Sequence, residues 1–527
     1  MYCNKGAIEG LLSIEIVWYD LSMKKFLLNS IPYVLSIILR IPSFFEPHWY
    51  TDTGIYSAIG KSLNNNGILY KTIIDNKPPL IYYLFALLEK IPISLTFEYQ
   101  FLSLLSLLGS EYLLYKIVEN KFNSKIAFIS IIFLAFFVGS TLFEGNLANV
   151  ENFYMFFSLL SIYLVFRKRK KDKNLKYLYF AGCILGIGVL FKLPALFDGL
   201  FVILYFFYIY KFKDFFMKSL FYGLGSLSPI FLFFIYEYFR GVLSNSIYYI
   251  FLTNFKYVNY YKFNTIFGIS HILFNTTAFI FLFFFFYILY KRKLIQSKTA
   301  FISLWLLTDL FSVFLSGRPY LHYLIQLSVP LSVVISYLIY KFMQSSIKIK
   351  IIIIISPLIL IYVLQLYFFR AELSYQVQDQ FISEAIYYPN FISFTLGDIS
   401  QRKYFDTFVY NTNVVFEKKA STANINYTIS NTLTKLGVSN HHIFIMGNFP
   451  WVYYMRNAIP ASPYVADFMI YPFSLGADNI MNSLNNHHPY LILYYNDGYT
   501  FNRLNVFIKQ FYRLYEIRNG AYIYIRD

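Results

Sequence analysis

"HWYTDTGIYSAIGKSLNNNGILYKTIIDNKPPLIYYLFALLEKIP", residues 48–92, is the stretch on which the reading of this chain turns. It carries Asp52, Asp75 and Lys77, with Pro78 and Pro79 directly behind, yet it follows an apolar run that ends near 45. Polar chemistry in that place suits a site at a membrane surface. Its "PPLIYYLFAL" run has about ten apolar residues, too few for a bilayer that needs ~20, and reads as an interfacial or re-entrant helix. Pro78 and Pro79 suit the first turn of such a helix, where backbone N–H groups have no partner anyway.

The surroundings set the class. A chain of 527 residues that is 57% hydrophobic and only 14% charged, with mean hydropathy +0.49, is not one water-soluble core. It reads as a polytopic all-α membrane protein. The 60 Phe and 52 Tyr accompany abundant Ile, Asn and Lys, so they read as compositional bias rather than as sugar-stacking platforms. The net charge of +17 lies in loops between apolar runs, which marks a cytoplasmic membrane face and not a nucleic-acid surface. Cys3 and Cys183 supply neither a disulfide framework nor a zinc cluster. The run at 26–45 lacks a cleavage site and reads as an uncleaved first span.

Apolar runs at 26–45, 101–117, 126–142, 149–166, 177–192, 195–210, 217–239, 266–290, 299–315, 321–340 and 350–369 predict about eleven crossings. The Lys- and Arg-rich loops 167–176, 211–218, 291–298 and 341–350 then all fall on one side, which the positive-inside rule makes cytoplasmic. Loops 46–100, 143–151, 240–264 and 316–323, with the tail after 370, fall on the extracytoplasmic face of a plasma membrane. Two domains follow: a multi-span catalytic domain, 1–370, with its first extracytoplasmic loop at 46–100, and a soluble extracytoplasmic α/β domain, 371–527. In the latter, 441–447 and 490–497 read as buried strands, 429–437 as a helix, and 512–527 as a hairpin turning at Asn519-Gly520. There is no internal repeat, phosphate-cradling glycine loop or hydrolase elbow.

Among the polar residues, Asp52 and Asp75 are either capping or solvated loop acids or, at a membrane surface, carboxylates able to act as a general base, and Lys77, at a helix start, is placed to hold a phosphate. Lys192 in "FKLPALFD" either reaches a lipid phosphate or snorkels from a span end. Asp309 lies inside a span, either as a functional acid or as a hydrogen-bonded structural one. His441-His442 and His487-His488 read as surface histidines, because neighbours on a strand face opposite sides.

The motifs "TDTGIY" (51–56), "DNKPPLIYY" (75–83), "GVLFKLP" (188–194), "SGRPYLHYLIQLSVP" (316–330) and "IMGNFPWVYYMRNAIPASPY" (445–464) run through most of the chain. Together they resemble the GT-C membrane glycosyltransferases, and most the branch holding the dolichyl-phosphate-mannose protein mannosyltransferases and the aminoarabinose transferases. The resemblance implies a GT-C fold of about eleven transmembrane helices with a small C-terminal α/β domain. It implies transfer of a sugar from a polyprenyl-phosphate donor to an extracytoplasmic acceptor: protein, lipid or polysaccharide. Asp52, Asp75 and Glu151 are then the catalytic acids, with Glu144 competing for the place of Glu151. Lys77, Lys192, Arg318 and His322 are then the donor-phosphate residues. No organic cofactor is implied; a divalent metal is compatible with the acids, its ligands unassigned. Partners are the lipid-linked donor, the acceptor and membrane lipids, with no nucleic acid. The chain departs from the pattern at Thr53, where some relatives place a second acid, and at Asn76, where the aminoarabinose enzymes have Glu before Lys-Pro-Pro. The competing class is a flippase for the same lipids, which would more often show repeated halves and polar groups at mid-membrane.

Overall fold

The computed structural model describes residues 30–167, 175–254, 269–315, 320–344, 385–408, 422–470, 476–495 and 501–527. Long apolar runs fold as helices because a helix satisfies its own backbone polar groups where water is absent. The helices, apolar runs and shorter polar ones together, begin with α1 (Ser30–Phe45), α2 (Thr51–Asn64), α3 (Leu80–Leu88), α4 (Leu95–Lys121), α5 (Ser124–Gly139) and α6 (Val150–Phe166). Then follow α7 (Leu175–Phe191), α8 (Ala195–Ile209), α9 (Phe212–Phe239), α10 (Leu243–Ile247), α11 (Ile269–Lys291), α12 (Ser297–Leu315) and α13 (Leu324–Gln344). Four helices, α4, α9, α12 and the stretch Leu321–Gln344 that contains α13, are long and apolar enough to cross a membrane. Six shorter apolar helices accompany them, among the described residues. The protein is a membrane protein. The crossing expected at 350–369 lies outside the described residues.

Small residues bring α7 and α9 together. A Cβ at Gly182 would collide with the Tyr222 carbonyl, one at Gly186 with that of Ser226, and one at Gly225 with that of Tyr179. Backbone contact of this kind replaces the hydrophobic drive that lipid removes. The outer side of α9 keeps Leu227, Phe231 and Leu232 exposed, a surface suited to acyl chains.

The carboxy-terminal region holds α14 (Gln401–Phe405), α15 (Thr422–Lys435), β1 (His442–Met446), α16 (Trp451–Arg456), β2 (Ile459–Pro460), α17 (Gly476–His487), β3 (Leu491–Tyr495), α18 (Asn502–Phe511), β4 (Tyr512–Arg518) and β5 (Ala521–Arg526). The five strands form one sheet, ordered β2-β1-β3-β5-β4, parallel from β2 to β3 and antiparallel beyond. The β4–β5 hairpin turns at Asn519 and Gly520, at φ 48° and 77°, a left-handed pair that Asn and Gly tolerate. Helix α15 begins at Thr422, earlier than the 429 that the sequence suggested, since its buried Ala423, Ile425 and Asn426 extend the inward face by about two turns.

This lobe is seated on the first loop. Trp451 Nε1 donates to the Tyr50 carbonyl at 2.8 Å, its ring stacks on His48 at 4.3 Å, and its Cδ1 would touch a Cβ at Gly54. Ile74 N donates to Pro463 O at 2.8 Å. The loop 46–100 is therefore held between the helices and the lobe.

A candidate active site at the helix mouths

Four chain segments, facing a fifth that carries His322, bring charge to one place. The first is α2, whose extended Tyr50 cap puts Asp52 in the first turn, where the helix dipole favours a carboxylate. The second is the approach to α3, where Tyr70 OH donates to the Lys77 carbonyl at 2.8 Å and Asn76 Nδ2 to Asn254 Oδ1 at 2.9 Å. Lys77 is thereby presented ahead of the helix that Pro79 opens. Its ammonium lies 3.8 Å from Asp52 Oδ1 and 3.5 Å from Asp75 Oδ2, over the Tyr56 ring.

Asp75 is buried and fully engaged: it accepts from Tyr82 OH at 2.5 Å and from Asn76 N at 2.7 Å. Asp52 is half-buried and accepts from Tyr56 OH at 3.3 Å. Burial opposes ionisation of Asp52, but Lys77, His322 and Lys192 together outweigh it and hold the carboxyl below its usual range. Burial likewise opposes the Lys77 ammonium, and Asp52 and Asp75 outweigh it, so Lys77 sits above the ordinary lysine value.

The third and fourth segments are the turn into α6 and the α7–α8 turn, facing the start of α13. Gly145 fits its turn only without a Cβ, which would strike the Val138 carbonyl, and Glu144 takes a left-handed φ of 55°. Glu151 is buried in the first turn of α6 and pairs with Lys192, whose ammonium also lies 4.4 Å over the Tyr323 ring. His322 Nδ1 donates to Glu144 Oε2 at 2.7 Å, which leaves Nε2 facing Glu151 Oε1 at 4.0 Å. Tyr50 OH lies 3.4 Å from the same Nδ1 and accepts from Asn149 Nδ2 at 3.1 Å.

These halves form one electrostatic unit, because His322 and Lys192 act on Asp52, and Glu151 acts on Lys77. Of the residues singled out from sequence, Asp52, Asp75, Lys77, Glu151, Lys192 and His322 come together; Arg318 lies outside the described residues. Glu144 and Glu151 do not compete for one place: both flank His322. Tyr50, Tyr56, Tyr82, Asn149 and Tyr323 complete the cluster, and nothing in a chain this rich in Tyr and Asn marks them. Among the described residues no three His, Cys, Asp or Glu side chains converge as metal ligands. As arranged, the acids face Lys77, Lys192 and His322, which does not offer a divalent ion a free ligand set. His441 stacks on Tyr490 and His442 on His487, both in the carboxy-terminal sheet region.

The architecture matches the crystal structure of ArnT from Cupriavidus metallidurans bound to undecaprenyl phosphate, at TM-score 0.57 and 9% identity, over 94% of this chain and 97% of that one. The protein has the GT-C fold. The profile of the dolichyl-phosphate-mannose-protein mannosyltransferase family matches residues 76–236 of this GT-C chain, from Asn76 beside Lys77 through α9. The archaeal oligosaccharyltransferase AglB from Archaeoglobus fulgidus, in complex with an inhibitory peptide and a dolichol-phosphate, aligns at TM-score 0.45 and 13% identity, over 95% of this chain and 74% of that one. No curated protein is significantly similar in sequence.

Proposed function

We propose that this protein is an integral-membrane glycosyltransferase that moves a sugar from a polyprenyl-phosphate donor to an acceptor hydroxyl on the extracytoplasmic side. The observation that carries the reading is the gathering of Asp52, Lys77, Lys192 and His322 at adjoining helix mouths of a GT-C fold. A base and a cationic phosphate site are what this transfer needs.

The donor's polyprenyl chain stays among the apolar helices while its phosphate meets Lys77, Lys192 and His322. Arg318, outside the described residues, is assigned to the same phosphate by the resemblance of its motif alone. Both lysines face carboxylates, Lys77 between Asp52 and Asp75 and Lys192 against Glu151, so a phosphate shares or displaces these partners rather than meeting free cations. Asp52 takes the proton from the acceptor hydroxyl as its oxygen attacks the anomeric carbon. The bond from that carbon to the phosphate oxygen breaks, and polyprenyl phosphate leaves with its negative charge held by the lysines. A single displacement inverts the anomeric configuration. Asp75 serves as the fixed counter-ion that aims Lys77, and Glu151 does the same for Lys192. Region 371–527 acts as an extracytoplasmic lobe that closes over the first loop.

The test is release of polyprenyl phosphate from labelled polyprenyl-phosphate sugars by the purified protein in nanodiscs, wild type against Asp52→Asn. A base of this kind contributes about 10²–10⁴-fold. Equal release by the two forms removes Asp52 from the chemistry. Lipid translocation without release by either form moves the reading to a flippase.

A further inference from the structure

A second layer of polar contacts lies directly beneath the charged cluster. Each of three cluster residues has a neighbour a short step along its own segment: Tyr154 after Glu151, Pro194 after Lys192, and Gln326 after His322. All three meet at the side-chain amide of Gln326. Its Nε2 donates to the Pro194 carbonyl at 3.2 Å and to Asp309 Oδ1 at 3.4 Å. Its Oε1 accepts from Tyr154 OH at 3.1 Å and from Ser312 Oγ at 3.0 Å.

Two donors and two acceptors are the full capacity of a glutamine amide. The amide orientation is also unique, since a flip would set Oε1 against the Pro194 carbonyl and an Asp309 oxygen and leave Tyr154 and Ser312 without an acceptor. Gln326 is 4% exposed, so these bonds are made away from water, where a satisfied network rigidifies its surroundings.

The four segments joined this way are α6, the α7–α8 turn, α12 and α13. Apolar packing between helices is non-directional and permits sliding and rotation; four directed bonds at one amide do not. The stake is greatest at the α7–α8 turn. Its backbone carries Lys192 between two local bonds, Lys192 N to Gly188 O at 3.0 Å and Ala195 N to Lys192 O at 3.2 Å. Asp309, which the sequence left open between a functional and a structural role, is the far anchor of the amide.

We propose that Gln326 is a positioning residue whose amide locks the turn bearing Lys192 to the helices bearing Glu151 and His322, and so sets the geometry in which the donor phosphate is received. The inference rests on the phosphate-binding role given above to Lys192 and His322.

The experiment compares full-length wild type with Gln326→Leu in nanodiscs, by three readouts: thermal unfolding, the rate of reductive methylation of Lys192 relative to Lys61 by mass spectrometry, and binding of undecaprenyl phosphate. The expected result is a folded variant in which Lys192 is methylated about fivefold faster, the factor one lost buried hydrogen bond represents, and undecaprenyl phosphate binds about tenfold more weakly. Adding Lys192→Met to Gln326→Leu weakens binding no further than Lys192→Met alone, because coupled residues are non-additive. A folded Gln326→Leu protein with unchanged Lys192 methylation overturns the proposal. If wild type binds no undecaprenyl phosphate, the donor reading fails while the methylation ratio still decides the role of Gln326. If Gln326→Leu does not fold, Tyr154→Phe and Ser312→Ala, each removing one bond to Oε1, carry the same measurement. Unchanged methylation in both then overturns the proposal.

Discussion

The Lys77 ammonium stands 3.8 Å from Asp52 and 3.5 Å from Asp75, and of the three cations that hold the proposed base ionised it acts most strongly. Asp52 is held below the ordinary carboxylate value of 3.8, so its contribution to stability is complete above that value and is lost as pH falls through the lower folded value. Lys77 is held above the ordinary lysine value of 10.5, so its contribution is complete below that value and is lost as pH rises through the higher folded one. Between these limits the pair is fully ionised. Lys77→Met removes the strongest of the cations opposing burial and leaves only His322, Lys192 and the Tyr56 hydroxyl against it at Asp52. The acid limb of the residual transfer rate then moves up by about 1–3 pH units. An unmoved limb in the pH–rate profile separates Lys77 from the basicity of Asp52.

His322 owes its orientation to Glu144, whose Oε2 receives the Nδ1 proton at 2.7 Å. Glu144→Gln keeps an acceptor of the same shape but removes one of the two charges, with Glu151, that favour an imidazolium. Transfer falls about tenfold, ~1.4 kcal/mol in the activation barrier, while the unfolding temperature in detergent changes little. Full activity in Glu144→Gln leaves the ring without need of a charged partner.

How much of this was legible in the sequence depended on the kind of signal. Apolar runs marked the helices because length and hydropathy are local properties. Asp52 and Lys77 stood out because charged residues are rare in such a chain, and His322 stood out through the resemblance of its motif. The charged cluster's internal pairing was not legible. Lys192 against Glu151, and Glu144 against His322, join residues 41 and 178 positions apart, and only the packing of α6, the α7–α8 turn and α13 brings them together. Helix α2 was hidden as well: its "TDTGIYSAIGKSLN" reads as loop, yet Gly60 lets it pack on α3, where a Cβ would lie 2.7 Å from Ala86 N.

The α7–α9 contact predicts opposite outcomes for two glycines on adjoining helices. A side chain at Gly186 meets the Ser226 carbonyl and the Pro229 ring, whereas Gly223 has open space around its Cβ position. Gly186→Leu costs about 1–3 kcal/mol or more by overpacking against backbone that does not yield. Gly223→Ala is neutral, or gains up to ~1 kcal/mol of helix propensity. Thermal aggregation in detergent, followed by size-exclusion chromatography, separates the two. Equal loss of monodisperse protein in both would contradict the close approach.

Trp451 is the main fastening between the carboxy-terminal lobe and the loop that carries Asp52. It is 1% exposed, stacks on His48, covers Gly54 and donates to the Tyr50 carbonyl two residues before Asp52. Trp451→Ala removes the ring and the donor together, at a cost of about 3–5 kcal/mol. Trp451→Phe keeps an aromatic face and loses the donor, at about 1 kcal/mol; the Tyr50 carbonyl still accepts from Gly54 N at 3.1 Å. Limited proteolysis therefore cuts the lobe fastest in Trp451→Ala, at an intermediate rate in Trp451→Phe and slowest in wild type. Because the same contact seats the first turn of α2, transfer activity follows the same order. A lobe that resists protease equally in all three forms, with activity unchanged, means the loop keeps Asp52 in place without the lobe.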